Sequence, residues 1–411
     1  MSRVELLAPA GDLDKLKTAI DYGADAVFMA GQEFGLRTAS KNFSNEEIKE
    51  AVKYVHDRNK KIYITMNIIA HEIDFEKLDD YIIFLSEVGV DGVIVADPGI
   101  FMRIREKAPN LEQHISTQAS ITNAETVNFW YKLGARRVVL ARELSIDEIK
   151  SIRANIPEDM ELEVFVHGAM CISYSGRCLL SNYFTHRDAN HGDCAQSCRW
   201  KYRLVEETRP GEYYPIEENE RGTFIFNSKD LCLIEYIDQL IEAGISSLKI
   251  EGRVKTQFYV ATVVRAYRLA VDAYYDGQYD DQLKAYLMEE IKKASYRDFT
   301  TGFLFGRPDD KGQNYDSSAY IRSYDFLATV LEYDGDKNEV LVEQRNKFVV
   351  GDEIEVFGPY KEVHKTKIEY IKDQDGKLLE MANQAKQIVS INMPVEVLKG
   401  DMLRRKVDED K

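Results

Sequence analysis

No stretch of this 411-residue sequence is both apolar and uncharged for long enough to cross a bilayer, and Met1-Ser2-Arg3-Val4-Glu5 is not a basic start leading into an apolar run. The expectation is a cytoplasmic protein with no membrane partner. Several catalytic signatures are missing too. No G-x-G-x-x-G follows the first strand, which argues against a dinucleotide fold. His71-Glu72-Ile73-Asp74-Phe75 begins like a zinc-protease helix but has Phe where the second His is needed. Ser173-Tyr174-Ser175-Gly176 lacks the leading Gly of a nucleophile elbow. Lys201 stands three residues after Cys198, so a C-x3-C-x2-C loop is absent. A net charge of −16 argues against general coating of nucleic acid, and any RNA contact must be local. Hydrophobic residues make up 44%, an ordinary share for a globular protein, so disorder is not expected.

Cysteine is scarce, yet four of the five crowd together as Cys171, Cys178, Cys194 and Cys198, while Cys232 stands apart and looks dispensable. In a reducing compartment such a set reads as a metal centre more readily than as disulfides. Only Cys194 and Cys198 have the close spacing of a zinc knuckle; the other intervals suit an iron-sulfur cluster, with zinc as the alternative. His167, His186 and His191 carry imidazoles that can replace a thiolate, but read more simply as polar loop residues. Cys171 with His167, four residues away, leaves a thiol-nucleophile reading open, although four clustered cysteines fit metal ligation better.

The first 275 residues alternate short apolar strands with amphipathic helices that close on Gly, as in Val88-Gly89-Val90-Asp91 and Leu133-Gly134-Ala135. Strands are predicted near 5–9, 25–30, 62–67, 92–97, 114–119, 137–142, 161–167 and 246–251. Eight strands point to an α/β fold, a (β/α)8 TIM-like barrel spanning 1–278 with a cysteine-rich insertion at 168–203. Chemistry then belongs at the C-terminal strand ends, where Asn67, Asp97, Thr117, Gln118, Arg142, Glu143, His167, Lys249, Glu251 and Arg253 fall. Alternation sends Lys249 and Glu251 to one side, into the barrel, either as part of a substrate clamp with Arg253 or as an internal salt-bridge network. His167, Lys249 and Glu251 are the candidate catalytic groups; Asn67, Gln118, Arg142, Arg253 and Trp200 are the candidate substrate contacts. Trp200 lies in Arg199-Trp200-Lys201-Tyr202-Arg203, which reads either as a stacking and phosphate-binding run or as an exposed strand. Arg136, Arg137, Arg177 and Arg187 are candidates to widen that patch.

A helix and Gly/Asp-rich linker are expected over 279–323. From 324 to 411 the pattern alternates around Asp334-Gly335 and Asp375-Gly376 turns, predicting a small C-terminal antiparallel β-barrel of five or six strands. Lys399-Gly400-Asp401-Met402-Leu403-Arg404-Arg405-Lys406 reads as a solvated basic tail.

The segment Glu163-Val164-Phe165-Val166-His167-Gly168-Ala169-Met170-Cys171, continued through Ser175-Gly176-Arg177-Cys178-Leu179-Leu180-Ser181, resembles the signature of the collagenase-like peptidase family. Glu5-Leu6-Leu7-Ala8-Pro9-Ala10-Gly11, Cys194, Cys198, Ser247-Leu248-Lys249-Ile250-Glu251-Gly252-Arg253 and Thr300-Thr301-Gly302-Phe303 match as well. Despite its name, the family includes hydroxylases of RNA and of quinone precursors. The branch this chain resembles implies prephenate-dependent, oxygen-independent hydroxylation of a tRNA wobble uridine to 5-hydroxyuridine. The resemblance also implies that Cys171, Cys178, Cys194 and Cys198 bind a 4Fe-4S cluster. Prephenate as co-substrate, a tRNA anticodon loop as partner, and a paralogous family partner in some branches follow from it. Collagenase-like hydrolysis with zinc or a thiol is the alternative, as is hydroxylation of ribosomal RNA or a quinone precursor.

Overall fold

A computed structural model describes residues 3–32, 34, 42–171, 173–191, 193–200, 218–219, 222–223, 228–308, 319–360 and 362–407. Eight parallel strands close on themselves: β1 (Glu5–Pro9), β2 (Ala26–Met29), β3 (Lys61–Met66), β4 (Gly92–Val95), β5 (Glu112–Ile115), β6 (Arg137–Val139), β7 (Glu161–Ala169) and, after a short antiparallel β8 (Asp230–Cys232), β9 (Ser247–Ile250). Pairing of β9 with both β7 and β1 completes the ring, as the count of eight predicts. The fifth strand is shorter than predicted. It stops at Ile115, because Ser116 caps a tight turn over Thr117–Ala119 and removes Thr117 and Gln118 from the strand.

Helices α1 (Leu13–Asp21), α2 (Asn45–His56), α3 (Leu78–Val88), α4 (Pro98–Lys107), α5 (Ala124–Leu133) and α6 (Ile146–Ala154) bury their apolar stripes against the outside of the ring. Gly89 and Gly134 end α3 and α5 with φ of +86° and +94°, a left-handed cap that glycine adopts without a Cβ penalty. Ser44 with Glu47 and Ser145 with Glu148 form capping boxes at the starts of α2 and α6. The insertion holds α7 (Leu180–Thr185), and after it come α8 (Ile237–Glu242), α9 (Gln257–Tyr275) and α10 (Asp281–Ile291). No helix among the described residues is long and apolar enough to cross a membrane.

The barrel lumen holds Leu7, Ala26, Phe28, Tyr63 and Ile94, with a layer of charge beside them. Arg137 bonds Glu5 at 2.6 Å and Glu163 at 3.0 Å, Glu163 accepts from Lys249 at 2.7 Å, and Tyr63 donates to Glu5 at 2.8 Å. Arg137 opens β6 and Arg136 precedes it, at the end of the barrel opposite the strand C-termini, where both pair with Glu161. They therefore do not widen a patch at the mouth.

The C-terminal part is an antiparallel curled sheet of eight strands, more than the five or six predicted. Its order is 364–367, 353–357, 402–406, 324–334, 339–344, 388–392, 371–372 and 378–379. The segment read as a solvated tail is a central strand, Met402–Lys406, with Arg404 wholly buried. Alternating Met402 and Arg404 carry the reason. Met402 packs into the barrel's apolar cluster, and Arg404 meets Glu290 of α10 at 2.8 Å and Glu355 at 2.9 Å. Phe258 of α9 stacks on Phe326, with centroids 5.4 Å apart, on the same seam.

Candidate functional site

β7 is nine residues long because its far end leaves the ring and pairs antiparallel with β8, Asp230 opposite Ala169 and Cys232 opposite His167. The chain between 170 and 229 therefore departs from and returns to one point on the C-terminal face. There it is pinned onto other strand ends. Ser120, after β5, donates to the Ser175 carbonyl at 3.2 Å, Ile69, after β3, donates its N–H to the Asn190 carbonyl at 3.3 Å, and Arg142, after β6, holds the Ala169 carbonyl at 2.8 Å. Gly176, with φ of +75°, lets the loop backbone lie against Gln118. Arg199 turns inward to the carbonyls of Met170 (3.0 Å) and Ser228 (3.3 Å), so it clamps the insertion and is not part of an exposed basic run. Trp200 next to it is 42% exposed, and Lys201, Tyr202 and Arg203 lie outside the described residues.

Cys171 and Cys194 are exposed, Cys178 and Cys198 half-buried, and Cys232 is in the core. Burial pushes the Cys198 thiol up to about 11, with Cys171, Cys194 and Cys178 adding to the shift and Arg199 opposing it. The four thiols thus share one electrostatic neighbourhood. Cys232 does not take part: its sulfur lies 4.0 Å from the Tyr267 hydroxyl, and burial pushes its thiol up to about 12. As donors, four thiols that repel one another as thiolates match what a cationic metal centre would stabilise. Among the described residues, no three His, Cys, Asp or Glu side chains stand close enough to hold a metal ion, so ligation requires the loop to draw its thiols together. His186 is exposed at the end of α7.

His167 does not face the lumen. A register shift against β9, between Lys249 opposite Phe165 and Ile250 opposite His167, skips Val166 and turns the imidazole outward. It packs among Tyr259 and Tyr267 of α9 and Phe299, with centroids 5.6–5.9 Å away, and burial drives its pKa down to about 3. The imidazole makes no hydrogen bond to a thiol among the described residues, which removes the geometry a Cys171–His167 nucleophile pair needs.

The other sequence-predicted residues divide into groups. Asn67 and Gln118 meet through Ser116, at 3.4 and 3.5 Å. Lys249 and Arg142 lie at 5.4 and 4.8 Å from the Phe165 ring, with Lys249 committed to Glu163. Arg253 reaches Thr65 at 3.3 Å and Asn42 at 3.1 Å. Glu251 lies past the end of β9, its N–H on the His167 carbonyl at 2.8 Å and its side chain against Gly168, apart from the Lys249 layer.

Sequence reasoning missed a second constellation beside these. Asp230 holds Arg297 through both Nε (3.1 Å) and Nη2 (2.9 Å), and Lys255 sits between the rings of Tyr259 (4.9 Å) and Tyr320 (3.7 Å). No motif ties these distant positions together, and the matching Ser247–Arg253 segment ends two residues before Lys255. A groove of about 670 Å³ adjoins, lined by Glu143, Cys171, Tyr174, Lys229, Thr300 and Arg307 among others. Burial raises the Glu143 carboxyl, which keeps its proton to higher pH than an exposed one. The groove brings the Thr300-Thr301-Gly302 segment to the first cysteine.

The model described as Peptidase family U32 matches residues 11–314, and that of the Peptidase family U32 C-terminal domain matches 322–404. The tRNA hydroxylation protein P1 of Bacillus subtilis is 46% identical over 98% of this chain and 94% of its own length. The tRNA hydroxylation protein P of Escherichia coli is 36% identical over 93% and 92%. A 23S rRNA 5-hydroxycytidine synthase of Escherichia coli is 36% identical over 78% of this chain but 48% of its own length.

Proposed function

The chain belongs to peptidase family U32, and from that premise we propose that it is an RNA hydroxylase acting on tRNA. The observation that carries this reading is the 46% identity, over 98% of this chain, to a tRNA hydroxylation protein. The finer reading is prephenate-dependent conversion of the wobble uridine to 5-hydroxyuridine, with a 4Fe-4S cluster on Cys171, Cys178, Cys194 and Cys198. Bound there, a cluster would supply one-electron chemistry. The chain's own contribution is a seat: the insertion is fixed over the barrel mouth by Arg142, Arg199 and Ser120, beside the groove at Cys171. An unpaired anticodon base, splayed from its loop, has the size and exposed edges such a groove can receive, and Trp200 offers it a stacking face.

Peptide hydrolysis is less well supported. Among the described residues, His167 is turned away from the thiols and His71–Phe75 forms a short exposed turn without a metal face. Ribosomal RNA is the second substrate reading, favoured by the 23S rRNA relative, although half of that protein has no counterpart here.

The test is mass spectrometry of tRNA and 23S rRNA nucleosides from cells with and without the gene, with prephenate synthesis intact or blocked. Loss of 5-hydroxyuridine from tRNA alone, and its dependence on prephenate, is the expected result. Unchanged nucleosides in both RNAs would overturn it. Anaerobic purification with iron, sulfide and zinc analysis decides the cofactor: about four irons and four sulfides for the cluster, stoichiometric zinc in colourless protein against it.

A further inference from the structure

Lys255 follows β9 at the C-terminal face, and its ammonium is enclosed without a hydrogen-bond partner among the described residues. Two aromatic faces, those of Tyr259 and Tyr320, lie against it. Cation–π contact recovers part of the lost hydration but leaves three N–H donors unused. The charged groups that act on it most strongly are Asp230, Arg297, Arg199 and Glu251. Asp230 is already saturated by Arg297, and Arg199 spends its donors on the carbonyls of Met170 and Ser228. Among the described residues, three cations stand against two carboxylates in this corner. Burial, reinforced by Arg297 and Arg199, brings the ammonium down to about 8, the behaviour of a cation short of a counter-ion.

We propose that Lys255 is the anchor for one carboxylate of the small-molecule co-substrate, bound beside Arg199 and so next to the cysteine loop. The RNA backbone offers an oxyanion of similar charge, but a phosphodiester on a folded RNA cannot reach an atom closed off from solvent. A small acid can enter after a side-chain movement. Using prephenate as the probe rests on the RNA-hydroxylase reading; the anchoring role of Lys255 is measured by binding alone.

Calorimetry with the full chain would titrate prephenate, inorganic phosphate and tRNA into wild type, Lys255→Met and Lys255→Arg. Loss of one charge-assisted contact predicts prephenate affinity weakened about 10- to 100-fold in Lys255→Met, largely restored in Lys255→Arg, with tRNA affinity unchanged in all three. The unliganded melting temperature of Lys255→Met should equal or exceed that of wild type, since an unpartnered buried charge is removed. Unchanged prephenate affinity, no prephenate binding by wild type, or phosphate binding in its place would overturn the assignment. So would weakened tRNA binding, which would make Lys255 a phosphate contact, or a lowered unliganded melting temperature, which would make it structural. Nucleoside analysis reports on the hydroxylase reading independently, so the two can fail separately.

Discussion

Glu163 and Lys249 meet at 2.7 Å with almost no solvent on either, and Arg137 approaches the same carboxylate at 3.0 Å. Burial would raise the Glu163 carboxyl, but Lys249 and Arg137 outweigh it and hold it down to about 2. A depressed carboxyl contributes stability above its unfolded pKa and loses that contribution as pH falls through the folded value, here between about pH 4.5 and 2. Lys249→Met should therefore cost about 3 kcal/mol at neutral pH in urea unfolding and flatten the acid limb over that window. Adding Glu163→Gln should recover part of the loss; a single variant as stable as wild type would count against the network. Two further substitutions test the thiols. Cys194→Ala and Cys198→Ala should each abolish bound iron and tRNA modification, whereas Cys232→Ala, outside the thiol neighbourhood, should keep both; iron retained in either of the first two would sink four-thiolate ligation. That four of the five cysteines fall in one segment is plain in the sequence. The partner of Lys249 is not, because Glu163 becomes its neighbour only when the ring closes, and Lys255 was invisible for the same reason: its enclosure depends on Tyr259, Tyr320 and Arg297.

Strand β7 shows at the level of one element what periodicity can and cannot carry. Its apolar run and its place as seventh of eight strands were legible. The skipped Val166 was not, since a bulge leaves no pattern when both faces of a strand are buried, and it reverses the side on which His167 falls. Gly168 marks the turn. Its φ is +114°, and a Cβ there would stand 2.7 Å from both the Cβ and the carbonyl oxygen of Glu251. Gly168→Ala should cost about 1–3 kcal/mol from the backbone conformation alone, with the contact adding to it, and should loosen the point from which the cysteine loop departs. Thermal unfolding reads the first effect and limited proteolysis within 170–229 reads the second. A melting temperature equal to wild type would mean that β7 can turn without the left-handed residue.

At the scale of the whole molecule, the barrel and the curled sheet are joined by a seam that buries charge as well as apolar surface. Sequence placed a second β unit after the barrel but took its last strand for a tail. Met402-Leu403-Arg404-Arg405-Lys406 is basic, and its burial becomes intelligible only with Glu290, Glu355, Asp325 and Asp352 in place around it. Burial would lift the carboxyls of Glu290 and Glu355, yet Arg404 and Lys293 prevail and both lie below their ordinary range. The stability they confer is present above the unfolded carboxylate range, near pH 4.3, and is lost as pH falls through the lowered folded values. Arg404→Ala leaves Glu290 with Lys293 at 2.6 Å and Arg265 at 3.5 Å, and Glu355 with Lys293 at 3.0 Å and Lys365 at 3.8 Å, and should cost about 3 kcal/mol, the low end for a broken buried pair. Because Arg404 spans the seam between the sheet and α10, the loss should fall on the coupling of the two units. Calorimetry should then show the C-terminal sheet melting before the barrel in the variant, where wild type melts in one transition at pH 7 and separates only in acid. A variant that still melts once, at the wild-type temperature, would place the coupling in the Phe258, Phe326 and Phe357 contacts instead.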